Sequence, residues 1–372
     1  MDFSFYKNKR VFVTGHTGFK GSWLCRMLIE LGAEVTGYSL KPPTKPSLFE
    51  MSGLRDEMTS ITGDVRDFDH LYECFKAAEP ELLFHLAAQP IVRESYKDPR
   101  QTYESNVMGT VNILECVRLQ TMAGKGPLSV LNVTTDKVYK NFEREKGYTE
   151  DEMLDGFDPY SNSKSCSELV THSYINSFFQ GEDAPAVSTA RAGNVIGGGD
   201  FAPDRIIADC TRSVSQKEKI ILRNPHSVRP FQHVLEAIYA YLMIAQRQAE
   251  NKKYAGFYNV GPDEKDCIRT EELVKLFCRC WNMSEILQAG AQDASKACIG
   301  GNAAYELREE AGAVHEAGYL KLDCTKLKNT FGWSPKWNVK KAVEQTCRFS
   351  RVWLRNGNIP EEMVREIEEY LS

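Results

Sequence analysis

Residues 11–24 read VFVTGHTGFKGSWL. A short β-branched run leads straight into glycines at every third position, Gly15, Gly18 and Gly21, and these open an amphipathic segment with Trp23, Leu24, Met27, Leu28 and Leu31 on one face. Glycines at this spacing allow a tight turn, close approach of a pyrophosphate to the backbone, and close helix–strand packing. The free N–H groups and dipole at the helix start then supply an anion site. Strand before and helix after raise the triplet well above a chance match. The expected contacts are Gly15, Thr17, Gly18, Phe19 and Gly21.

This turn implies a parallel sheet, and the first half of the chain keeps its rhythm. Strand-like runs at Val11–Val13, Glu34–Tyr38, Ser60–Thr62, Leu82–Leu86, Ser129–Val133 and Ala186–Ala190 alternate with helical patterns near Leu71–Ala77, Thr102–Leu119 and Tyr160–Phe179. Such alternation predicts an α/β, doubly wound, Rossmann-type sheet covered on both faces. After about Asn194 the rhythm changes. Arg205–Leu222 reads as helix plus strand, Val234–Gln248 and Tyr258–Val260 return to the first pattern, and Lys340–Asn356 reads as a closing helix. The expected division is a dinucleotide-binding domain over residues 1–194, with returns near 228–262 and 340–356. A smaller interleaved lobe takes 195–227 and 263–339. Residues 286–314, rich in Ala, Gly and polar side chains, carry no clear pattern.

Composition narrows the class. The chain has 372 residues and a formal net charge of −5, which argues against a nucleic-acid footprint. No stretch approaches the ~18 apolar residues of a membrane span. The start, MDFSFYKNKR, is polar and does not read as a signal peptide. Eleven scattered cysteines read as reduced thiols of a cytoplasmic protein. The histidines show no ligand spacing, so no metal site is expected.

The second strand ends GYSLK, without the acid that would bind an adenosine ribose and select NAD, and with Lys41 and Lys45 nearby. NAD and NADP both stay open on this strand. Asp64, with Val65, follows the third strand, suited to the adenine edge or to an ordinary helix cap. Leu86, Ala87 and Ala88 follow the fourth, where small side chains let a cofactor lie flat. PYSNSK places Tyr160 and Lys164 one helical turn apart on one face. A lysine ammonium beside a phenol favours the phenolate, which can take a proton while hydride leaves the adjacent carbon. The hydroxyl-bearing run TTDK, residues 134–137, ends the preceding strand.

TGHTGFKG, NVMGT, TTDK, YSNSK and RAGNVIGGGD together resemble the extended short-chain dehydrogenase/reductase family of epimerases and dehydratases. The longer phrases HLAAQPIVRESY, RNPHSVRPFQHVLE and YLKLDCTK are similar to the branch that dehydrates CDP-glucose. The resemblance implies tightly held NAD, a sugar-nucleotide substrate, a homodimer or dimer of dimers, and a place in deoxysugar or O-antigen-type biosynthesis. Carried over by position, it makes Thr135, Tyr160 and Lys164 the dehydrogenase triad and Asp136 the dehydratase acid. Asn106 would hold a water near the lysine, or satisfy a bend in its own helix. Lys137 would be the base at carbon 5, or a cation offsetting an enolate.

For the substrate phosphates or nucleotide the matching stretches hold Arg191, Asn194, Arg205 and Arg229, of which Asn194, Arg205 and Arg229 are the expected contacts; arginine's planar fork binds two oxygens at once. His233 orients Arg229 or packs. Arg93 faces the sugar or pairs with Glu94 or Asp98. Gly318 stands where the relatives carry a histidine before YLKLD, and residues 286–314 form a longer insertion than theirs.

Overall fold

The computed structural model describes residues 2–289, 302–308 and 317–372. Seven strands form the central sheet: β1 (Arg10–Thr14), β2 (Glu34–Ser39), β3 (Thr59–Thr62), β4 (Leu82–His85), β5 (Ser129–Thr135), β6 (Ala186–Ala192) and β7 (Phe257–Val260). They are parallel throughout, in the order β7-β6-β5-β4-β1-β2-β3. This is the doubly wound sheet the alternating pattern implies. The order reverses between β1 and β4, so their carboxyl ends flank the crevice where such sheets take ligands.

Alternate residues of one strand serve opposite cores. Val11 and Val13 join the cluster formed with Leu24 and Met27 of α1 (Phe19–Glu30), Leu235 and Ile238 of α2, and Met363 and Ile367 of α3. Here α2 is Val234–Glu250 and α3 is Ile359–Leu371. Phe12 faces the other side, with Leu71 and Phe75 of the helix Phe68–Ala78 and Ile113 and Val117 of the helix Gly109–Met122. Both faces of β5 and β6 are buried at every residue, which explains their unbroken apolar and small-residue runs.

Two elements are refined relative to the sequence reading. The segment expected as one helix over Thr102–Leu119 is helical throughout, with a π turn inside it. A short helix, Pro99–Tyr103, runs into a π turn over Glu104–Met108 before the helix Gly109–Met122. Asn106 lies in that turn. Lys340–Asn356 is not the closing helix: Val339–Leu354 is followed by α3, capped by Asn358 and carrying Pro360 in its first turn. Ile359, Met363, Ile367 and Tyr370 give α3 its buried stripe. Most of 286–314 lies outside the described residues.

After β6 the chain builds a second core from Ile207, Cys210, Val214, Phe231, Leu273, Phe277, Trp281, Val343 and Cys347. It returns to the main sheet through α2, packed under β5 and β6, and through β7. Trp23 of α1 is fully buried and donates its indole N–H to Gly198 O at 2.9 Å. This bond fixes the 197–199 glycine turn over the start of α1. Among the described residues no helix is long and apolar enough to cross a membrane.

Candidate active site

Gly15 has φ +79°, and a Cβ there would come within 2.7 Å of Ala87 N. A Cβ on Gly21 would sit 2.2 Å from Gly15 O. Gly18 caps α1 without any side-chain hydrogen bond, leaving the first-turn N–H groups of a twelve-residue helix facing the crevice mouth. Thr17 donates to Leu40 O and meets Ser39 Oγ, both at 2.9 Å, tying the loop to the end of β2. The side chain of Thr14 takes up the N–H groups of Leu86 and Ala87 at 3.2 Å, holding the end of β4 beside the loop. Ala88 follows, half-buried. A backbone cradle of this kind fits a dinucleotide pyrophosphate.

Further along, Asp64 is clasped by Arg66, with contacts of 2.6 and 3.0 Å, which holds its carboxyl below the usual range. Asp64, Arg66, Asp67, Glu104, Met108 and Asn112 line a cleft of about 510 Å3. Val65 is buried, and its O accepts from Asn112 at 2.8 Å. Phe19 is half-buried beside the 197–199 turn.

The end of β5 and the start of helix α4 (Pro159–Phe178) bring the reactive side chains together. Asp158 caps α4 through Ser161 N at 3.0 Å, which sets the angle at which Tyr160 and Lys164 leave the helix. Burial pushes the Tyr160 phenol up to about 12, while the Thr135 hydroxyl and the Arg205 charge pull it down. Thr135 Oγ1 donates to Asp136 Oδ1 at 3.0 Å. Asp136 is 1% exposed; its Oδ1 lies 3.5 Å from Lys137 Nζ, while its Oδ2 is buried without a hydrogen-bond partner. Lys164 donates to Val133 O at 3.1 Å, and burial brings it down to about 8 while Glu168 holds it up. Thr135, Asp136, Lys137, Tyr160, Lys164 and Arg205 therefore form one constellation.

The other candidates stand at varying removes. Both polar ends of the Asn106 side chain are spent, on Gln89 N and O at 2.8 and 3.1 Å and on Ser163 Oγ at 2.8 Å. Asn194 keeps a buried Oδ1 without a partner. Arg205 pairs with Asp200 at 3.2 Å while its charge reaches Tyr160 and Lys20. Arg229, nearly buried, donates to Val228 O and Ala317 O. Arg93 meets Asp204 at 3.7 Å, a partner far along the chain that neither Glu94 nor Asp98 foreshadowed. His233 packs: it is fully buried, 2.8 Å from Glu366 of α3. Gly318 N donates to Glu143 Oε1 at 3.0 Å.

Sequence reasoning passed over several groups. Lys20, between the second and third loop glycines, reaches Tyr241 OH of α2 at 3.1 Å, and burial with Arg205 and Lys164 brings it down to about 7. His16 fills the space that Gly37 leaves; burial holds it down at about 4. Arg191, one of the stretches' arginines, is fully buried against Glu168 at 3.0 Å. The signal for Glu168 was present in the sequence: it follows Lys164 by one helical turn and Tyr160 by two.

A family model described as GDP-mannose 4,6 dehydratase matches residues 12–346. The chain belongs to this family of NAD-type sugar-nucleotide dehydratases and epimerases on a Rossmann scaffold. Among curated relatives, the CDP-glucose 4,6-dehydratase of Salmonella typhimurium is 44% identical, over 100% of this chain and 99% of that protein. A probable dTDP-glucose 4,6-dehydratase of Sinorhizobium fredii is 25% identical, over 94% and 93%. Among solved structures, the UDP-glucose 4-epimerase of Thermotoga maritima aligns with a TM-score of 0.70 at 21% identity, covering 92% of this chain and 99% of that one. The dTDP-glucose 4,6-dehydratase of Bacillus anthracis aligns at 0.70 and 20%, covering 92% and 96%.

Proposed function

We propose that this chain is an NAD-dependent sugar-nucleotide 4,6-dehydratase, and that its substrate is CDP-glucose, converted to CDP-4-dehydro-6-deoxyglucose. One observation separates this from an epimerase on the same scaffold. A buried carboxyl, Asp136, keeps Oδ2 without a partner while its other oxygen accepts from Thr135. Exchange of configuration at carbon 4 needs no such acid; loss of a hydroxyl from carbon 6 does.

The Gly15–Gly21 loop would hold NAD, which when bound would supply the hydride acceptor for carbon 4 and the hydride donor for carbon 6. Tyr160 takes the proton of the 4-hydroxyl, with Lys164 one turn below favouring its phenolate. The resulting ketone acidifies carbon 5. Lys137, beside the acid, is placed to take that proton or to offset the enolate charge. Asp136 protonates the departing 6-hydroxyl, which leaves as water. A proton returns to carbon 5 as hydride reaches carbon 6. The proton left on Tyr160 resets Asp136 by way of the Thr135 hydroxyl, which donates to that carboxyl. Gly15, Thr17, Gly18, Phe19, Gly21 and the Leu86–Ala88 edge hold the cofactor, with Asp64 and Val65 at its adenine end. Asn194, Arg205 and Arg229 take the diphosphate, where the dinucleotide-binding domain meets the lobe over 195–227 and 263–339.

Incubation with NAD and, separately, CDP-, dTDP- and UDP-glucose and GDP-mannose tests the reading. Loss of one water from CDP-glucose without net NADH is expected; a product of unchanged mass refutes the dehydratase. A second copy of this chain covers the exposed Met108, Met122, Leu169 and Phe178 of the neighbouring helices Gly109–Met122 and α4, and light scattering that returns a monomer mass excludes it.

A further inference from the structure

Behind the reactive turn lies a buried polar network that the chemistry above does not use. Glu168 is fully buried in α4. Its Oε1 accepts from Thr134, and its Oε2 from Thr189 at 2.7 Å and Arg191 at 3.0 Å. Arg191 passes on to Tyr139 OH at 2.9 Å and Glu150 O at 2.8 Å. Tyr139 donates to Asn259 of β7 at 2.6 Å, and Asn259 donates to Tyr148 O and Asp323 O. Thr134 immediately precedes Thr135, and Tyr139 stands two residues past Lys137. The network thus grips the Thr135–Asp136–Lys137 turn from both sides and holds it to the helix that carries Tyr160 and Lys164.

We propose that Glu168, paired with Arg191, is a positioning residue of the active site, locking the catalytic face of α4 to both flanks of the Thr135–Asp136–Lys137 turn. The proposal rests on the dehydratase reading above. A buried ion pair is weak as a stability device, because desolvation offsets the attraction and apolar replacements often do as well. Its value here is register: one carboxylate aligns the two segments that carry the reacting groups, α4 and the end of β5, against β6. The same carboxylate is the negative charge that sustains the Lys164 cation. The titratable groups on which the Lys164 charge acts are Lys20 and the buried His85; those facing Glu168 are Arg191 and, at 3.7 Å, His172.

The test compares wild type with Glu168→Gln, Glu168→Asp and the neutral pair Glu168→Gln/Arg191→Met, which leaves no uncompensated buried cation. In the Gln variants kcat falls about tenfold or more with KM little changed, and the alkaline limb of the kcat profile moves about one pH unit downward. Glu168→Asp restores the limb. In parallel, carbon-13 NMR of labelled lysine, with the Lys164 signal assigned through Lys164→Met, reports the same downward shift without turnover. Folded Gln variants with wild-type kcat, limb and lysine titration overturn the proposal. A wild type that dehydrates no sugar nucleotide refutes the assigned reaction instead, and the lysine titration still decides on the pair.

Discussion

Asp136→Asn is the substitution that separates the two halves of the reaction. The side chain is 1% exposed, and the amide matches the carboxyl in shape. Thr135 keeps an acceptor at 3.0 Å, and the pair with half-exposed Lys137 is the sole ionic contact removed. The fold therefore stays intact. Tyr160 and Lys164 are untouched, so oxidation at carbon 4 continues. Protonation of the departing hydroxyl does not, because an amide has no proton to give. Loss of a general acid slows its step by about 10²–10⁴-fold, or about 3–5 kcal/mol of barrier. The assay mixes enzyme, NAD and CDP-glucose and follows nicotinamide reduction by absorbance and water loss by mass spectrometry. Reduced cofactor accumulates on the enzyme while water loss collapses. Water loss at the wild-type rate refutes the acid role; loss of nicotinamide reduction as well shows that Asp136 serves the first step and not the second.

Gly21→Ala forces a Cβ to within 2.2 Å of Gly15 O, so the loop must open. Overpacking of this kind costs about 1–3 kcal/mol; a lowered melting temperature together with weakened NAD binding by calorimetry is expected, and unchanged NAD affinity argues against the loop as the pyrophosphate cradle. Burial holds His16 at about 4 and His85 at about 3, against 6.5 for the free side chain. The unfolded chain binds these protons first. Stability is therefore complete above about pH 6.5 and is lost as pH falls towards the folded values, by on the order of 3–5 kcal/mol per histidine. Denaturant midpoints measured between about pH 7 and 5 check this, with His85→Gln flattening the slope.

Much of the machinery was legible because it is local. The glycine triplet, the Tyr160–Lys164 spacing and the alternation of strands with helices depend on residues within one or two turns of each other, where period and backbone freedom decide geometry. The sequence by itself thus determined the parallel sheet, the nucleotide loop at the end of β1, and the chemistry gathered at the end of β5. It left open what depends on distant partners. Whether His233 would orient Arg229 or pack was decided by Glu366, more than a hundred residues away, and Arg93 turned to Asp204 instead of to its neighbours. Arg191 looked like a phosphate ligand because arginine suits anions; β6 carries it into the core, where Glu168 is the anion it meets. The π turn inside the Thr102–Leu119 helix carries Asn106, which bonds Gln89 and Ser163, contacts that no local pattern encodes. Only the tertiary structure could say which polar groups are satisfied inside the protein. The free lone pairs it leaves on the buried Asp136 are the observation on which the proposed acid role rests.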